Sequence, residues 1–124
     1  MKKIFINFTN HPSKDWEENQ IKAARGYGEI VDVPFPMVEA ECTEAEVDEL
    51  AHGFCRRICA YEPVAVLCQG EFSLAYQVIH LLKEKGITVL AACSQRDVRE
   101  EKKEDGSMEK TAIFRFVRFR EYLD

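Results

Sequence analysis

At 124 residues the chain is near the commonest size for one domain and too short for two ordinary ones. Its 46% hydrophobic and 31% charged residues can bury a core and argue against disorder along most of the length. A formal net charge of −5 speaks against a sequence-independent grip on duplex DNA, which needs many Lys and Arg neutralising phosphates.

Lys3 to Phe8 reads as a buried strand, because the β-rich run is short and Pro12, in Thr9-Asn10-His11-Pro12, stops it. Its apolar core Ile4-Phe5-Ile6 is too short for a signal peptide, and no run approaches the ~18 apolar residues of a transmembrane helix. A cytoplasmic protein with no membrane contact is the expectation. Ser13 can cap a helix from about Lys14 to Arg25, in which Trp16, Gln20, Ile21 and Ala24 share a face and Gly26 and Gly28 close the end. Glu29 to Val33 is a second strand, cut off by Pro34 and Pro36.

Thr43-Glu44-Ala45-Glu46 has the form of a capping box. The helix it opens carries the stripe Val47, Leu50, Ala51, Phe54, Cys55 and Ile58 and runs to about Ala60. Pro63 resets the chain for a third strand, Val64 to Cys68. Gln69-Gly70-Glu71-Phe72-Ser73 turns into a third helix, Leu74 to Lys85, closed by Gly86, and Ile87 to Ala92 is a fourth strand. Beyond it, charged Arg99 to Glu104, the tight-turn pair Asp105-Gly106 and the β-rich Thr111 to Phe119 read as an antiparallel hairpin. The expected fold is one α/β domain over residues 1–124. It is a Rossmann-like parallel sheet in the order 2-1-3-4, with helices on both faces and the hairpin at its edge.

Five cysteines are an odd number with no metal or redox spacing, so buried reduced thiols are expected. His52 and His80 lie within helices without Cys or His partners at metal spacing. Neither a metal nor a cofactor is implied. In this strand order a crevice opens between the carboxyl ends of the first and third strands. Two polar turns face it, Thr9-Asn10-His11-Pro12-Ser13 and Gln69-Gly70-Glu71-Phe72-Ser73, each leading into a helix N-terminus where free amides favour an anion. Cys93-Ser94-Gln95-Arg96, leaving the fourth strand, adds a guanidinium suited to phosphate. Gly70 is a lone glycine, so neither a dinucleotide fingerprint nor a triphosphate loop is present; it serves either close ligand approach or tight strand-to-helix packing.

Several blocks in order, NFTNHPSKDWEENQ (7–20), GEIVDVPFP (28–36), VLCQGEFSLAY (66–76), KGITVLA (85–91) with Ser94-Gln95-Arg96, and FRFVRFREY (114–122), make the chain similar to a known family. It resembles small accessory proteins of type III CRISPR systems, related to the CARF-like sensor domains that bind cyclic oligoadenylates. The turn departs from the family's pattern at Pro12 and Lys14-Asp15-Trp16. The resemblance implies recognition of a cyclic oligoadenylate messenger, in an antiviral defence role, and its metal-independent cleavage as a ring nuclease by ribose 2′-hydroxyl attack on phosphate. His11 and Arg96 would then be the catalytic residues. Asn10, Ser13, Gln69, Gly70, Glu71, Phe72, Ser73 and Ser94 would be the ligand-binding ones. A ligand with two-fold symmetry implies a homodimer. The alternatives are a non-catalytic sensor of the same messenger and a protein-interaction module that docks through Arg99 to Lys110.

Overall fold

The computed structural model describes residues 2–124. The apolar runs become strands β1 (Ile4–Phe8), β2 (Glu29–Asp32) and β3 (Ala65–Cys68), and the helices are α1 (Glu18–Arg25), α2 (Glu44–Cys59) and α3 (Phe72–Glu84). Two long strands, β4 (Thr88–Lys102) and β5 (Met108–Glu121), complete one sheet in the order β2-β1-β3-β4-β5. The first four strands are parallel and β5 runs antiparallel to β4, as the alternation of strand and helix signals requires.

The two faces of β1 separate the core into two layers, because successive side chains point to opposite sides. Phe5 packs with Ala24, Leu90, Phe116 and Phe119 beneath α1, while Ile6 and Phe8 join Ile58, Leu74 and Val78 beneath α2 and α3. The capping box at Thr43 is formed: its hydroxyl accepts from the Glu46 amide, and the Glu46 carboxylate accepts from the Thr43 amide. Helices on both faces and the 2-1-3-4 order agree with the sequence reading.

Several boundaries shift by one to three residues, and two larger differences bear on the site. The expected helix from Lys14 is instead a single 3₁₀ turn at Ser13–Asp15, after which Trp16 is extended and α1 begins only at Glu18 with Glu17 as its N-cap. The cause is tertiary: Ser13 is held by Asp32 at the end of β2, and the Trp16 indole N–H donates to the His11 carbonyl. The segment from Cys93 to Arg96, expected to leave the sheet, is the middle of β4. β5 pairs with it throughout, with an irregularity between Cys93 and Ser94 that leaves Val117 as an extra residue on β5. β3 accompanies β4 only as far as Leu90. From Gln95 outward, β4 and β5 therefore form a two-stranded arm about 25 Å long at 3.4 Å per residue.

Glu17 and Asn19 close the outer edge of this ribbon at one point. The Glu17 carboxylate accepts from the Phe116 amide at 2.7 Å, and the Asn19 side-chain amide donates to the Phe116 carbonyl at 3.0 Å. An open edge of this kind otherwise invites pairing with another chain.

All five cysteines are free thiols. Burial pushes the Cys68 thiol up to about 12, and burial, followed by the neighbouring Cys59, pushes Cys55 up to about 11. Since the thiolate is the reactive form, the folded protein at pH 8 should label at neither Cys55 nor Cys68 with a thiol reagent, whereas denaturation should expose both. Fast native labelling at either position, read by mass spectrometry, would contradict this placement.

Candidate functional site

β2 and β3 lie on opposite sides of β1, so the connections leaving the carboxyl ends of β1 and β3 diverge and leave a crevice between them. A cleft of about 630 Å³ occupies this place. Thr9, Asn10 and His11 from the β1 turn, Gln69 and Gly70 after β3, and Ser94 on β4 line it. Trp16, Phe114 and Phe116 supply aromatic wall, and Asp15 and Glu17 supply the only charged side chains among the lining residues described. Hydroxyl, amide, imidazole and aromatic groups around a small apolar floor are the ordinary make-up of a small-molecule site.

The β1 turn is built from within. Asn7, buried at 1% exposure, donates from its side-chain amide to the His11 carbonyl at 2.9 Å and to Asp32 Oδ1 at 3.0 Å. Its own carbonyl accepts from the Thr9 hydroxyl at 2.8 Å, and that hydroxyl accepts from the His11 amide. The other Asp32 oxygen takes both the amide and the hydroxyl of Ser13. The backbone of residues 9–13 is thereby fixed, and the Asn10 and His11 side chains are presented to the cleft. Thr9 belongs to the turn that the sequence placed at the crevice, whereas Asn7 and Asp32 escaped the sequence reading. An Asn inside an otherwise apolar strand was the available signal for Asn7, since a buried amide requires partners.

The β3 turn differs from its expected role as an anion cradle. Glu71 is the N-cap of α3, and its carboxylate accepts from the Leu74 amide at 2.8 Å and from the Ser73 hydroxyl at 2.7 Å. The Ser73 hydroxyl, then the Leu74 amide, holds the Glu71 carboxyl below its ordinary range. The positive end of α3 already carries a negative group, so a phosphate placed there would meet a like charge. Glu71, Phe72 and Ser73 lie outside the cleft lining, and Phe72 is 91% exposed. Ser13 is also outside the lining, committed to Asp32. Gln69 remains: its side-chain oxygen accepts from the Ala92 amide at 2.8 Å, which leaves its NH₂ group free for a ligand at the cleft wall.

Gly70 combines both readings offered for it. It lines the cleft, and a Cβ added there would lie 2.5 Å from the Phe35 ring, which packs on Phe8 with ring centroids 4.8 Å apart. Gly70→Val should therefore lower stability by about 2 kcal/mol, the scale of overpacking, rather than remove binding from an intact domain. A thermal midpoint equal to that of the parent would show that Phe35 can move aside without cost.

Arg96 does not line the cleft. It stands exposed on β4 opposite Phe114, two residues beyond Ser94 on the same face. That places a guanidinium at the outer rim, where Phe114 is the nearest cleft residue across the ribbon. His52 and His80 pair with acids on their own helices, Asp48 at 3.4 Å and Glu84 at 2.9 Å, away from the cleft. Among the described residues no helix is long and apolar enough to cross a membrane.

No curated protein and no solved structure matches the chain. One family model does, over residues 3–120, which takes in every element from β1 to the penultimate residue of β5 and all of the cleft. The chain belongs to the family described as the uncharacterized protein MJ1673 family.

Proposed function

We propose that this chain binds a cyclic oligoadenylate in the cleft between the β1 and β3 turns and cleaves it as a metal-independent ring nuclease. The observation that carries the reading is the position and lining of the cleft. It opens at the topological switch point, with Trp16 and Phe114 as stacking surfaces beside Asn10, His11, Gln69 and Ser94. The four parallel strands in the order 2-1-3-4 support reading the sheet as Rossmann-like, and such sheets place ligands there.

The electrostatics dictate how such a ligand sits. The lining has carboxylates and no Lys or Arg, so an adenine goes inward, where Asp15 can accept from its exocyclic amine, and the phosphates face the rim and Arg96. In the cleavage step the ribose 2′-oxygen bonds to the adjacent phosphorus while the bond from phosphorus to the 5′-oxygen breaks. The products carry a 2′,3′-cyclic phosphate and a 5′-hydroxyl. His11 takes the 2′-hydroxyl proton or returns one to the leaving oxygen, and Arg96 stabilises charge on the phosphate oxygens. Two chains in a symmetric dimer present two clefts to one ring.

Binding without cleavage is the second reading, favoured by the lack of any cation among the lining residues. Incubation of the purified protein with cyclic tetra-adenylate in the presence of a chelator, followed by chromatography, decides between them. Linear products support cleavage. Intact ring with calorimetric binding supports the sensor, and intact ring without heat of binding removes the ligand assignment.

A further inference from the structure

The arm of β4 and β5 beyond Gln95 presents apolar side chains to solvent: Val98 is 54% exposed, Met108 56% and Phe114 65%. All three lie on one face of the ribbon. Pairs in register across it are Arg96 with Phe114, Val98 with Ala112, Glu100 with Lys110, and Lys102 with Met108, and every second residue points the same way. Neither a third strand nor a helix is described against this outer part, and an isolated two-stranded ribbon is marginal in water without a packed face.

The pattern of this face is complementary to itself. Taking the Val98–Ala112 pair as a centre, Arg96 lies two residues toward the body of the domain and Glu100 two residues toward the tip. A two-fold axis through that centre, lying between two arms and across their strands, sets position +2 of one arm over position −2 of the other. Arg96 then meets the partner's Glu100, Phe114 meets the aliphatic stem of the partner's Lys110, and Val98 packs on the partner's Val98. Four residues from the centre, the partner's Lys102 comes over Ser94, a lining residue of the cleft. Because the acid and the base are equidistant from one apolar pair, a second copy of this chain matches the face without any other partner being invoked.

We infer that the arms of two chains pack face to face about Val98, and that each arm completes the other chain's cleft by bringing Lys102 to its mouth and holding Arg96 through Glu100. The cleft itself lacks a cation and contains Asp15 and Glu17, so the partner's lysine supplies the missing charge at the place where ligand phosphates would emerge. A guanidinium has donors enough to pair with a carboxylate on one edge and a phosphate on the other. Capping of the Phe116 backbone by Glu17 and Asn19 blocks the competing edge-to-edge arrangement at that point and leaves the face as the contact. This inference rests on the dimeric part of the function proposed above and not on its ligand.

Light scattering of the ligand-free protein at micromolar concentration tests it. The expected mass is twice the 14.3 kDa of one chain. Val98→Glu places two carboxylates against each other at the axis and should weaken the dimer by roughly 100-fold, while circular dichroism shows the fold retained. Arg96→Glu and Glu100→Arg should each dissociate it, and the double variant should restore it, because the exchanged pair again meets its opposite. A monomeric parent, a Val98→Glu protein that stays dimeric, or no rescue by the charge exchange would each overturn the interface. None of these masses depends on whether an oligoadenylate is bound, so the ligand assignment stands or falls separately.

Discussion

Asn7→Ala should destabilise the domain by about 2 kcal/mol, because the buried Asn7 side chain serves three polar partners, of which the Thr9 hydroxyl is itself buried, while Asp32 is exposed to water and the His11 carbonyl keeps the Trp16 indole as a donor. Those partners are the His11 carbonyl, Asp32 Oδ1 and the Thr9 hydroxyl. Urea denaturation should show a lower midpoint with an unchanged slope, as expected when the native state is weakened without altering the unfolded chain. The site should respond as well, since the backbone that presents Asn10 and His11 is pinned by the same bonds. Asn7→Asp is the sharper control. It keeps the acceptor for Thr9 but sets a buried carboxylate against the exposed Asp32 carboxylate, and burial and like charge raise its pKa in the folded state above the unfolded value. The folded variant then holds a proton that the unfolded chain releases, so its stability falls as pH rises and should be worse at pH 7 than at pH 5. A loss below about 0.5 kcal/mol for Asn7→Ala, the level of an ordinary surface change, would show that water replaces the amide and that the turn does not depend on it.

Arg96→Ala should lower single-turnover cleavage of a cyclic oligoadenylate by roughly 10²-fold while changing affinity much less. The reasoning is differential. Charge on the attacked phosphate is redistributed in the transition state, so a guanidinium at the rim contributes more there than to the bound ground state. The comparison is made where light scattering shows the variant and the parent in the same assembly state, since the same guanidinium is assigned to the contact between arms. His11→Ala should also slow the step and flatten its pH dependence. Substantial activity can survive the loss of His11, because holding the 2′-hydroxyl in line already accelerates an intramolecular attack. Equal losses of rate and affinity in Arg96→Ala would make Arg96 a binding residue only, and a pH profile unaltered in His11→Ala would remove the proton-transfer role.

Local chemistry in the sequence was enough for the strands, the capping box at Thr43, the helix stripe of α2 and the tight turn at Gly106, because each is decided by neighbours within a few residues. The alternation of these elements, with the handedness of crossover connections, was then enough for the order 2-1-3-4 and for a crevice after β1 and β3. What needed the tertiary structure was every feature set by residues far apart in the chain. The start of α1 moved because Asp32 holds Ser13, a contact across 19 residues that no helix propensity contains. The hairpin arm expected from Arg99 is present, but β4 runs into it without a break from Ala92 because β5 pairs with it throughout, which local composition at Cys93 to Val98 did not reveal. The helix end at Gln69 to Ser73 was visible as a place for an anion, but whether Glu71 turned its own carboxylate into that place depended on a side-chain rotation. The cleft's character was decided in the same way: Asp15 and Trp16 near the start of the chain and Phe114 near its end become walls of one cavity only when α1 and the ribbon fold over the same face of the sheet.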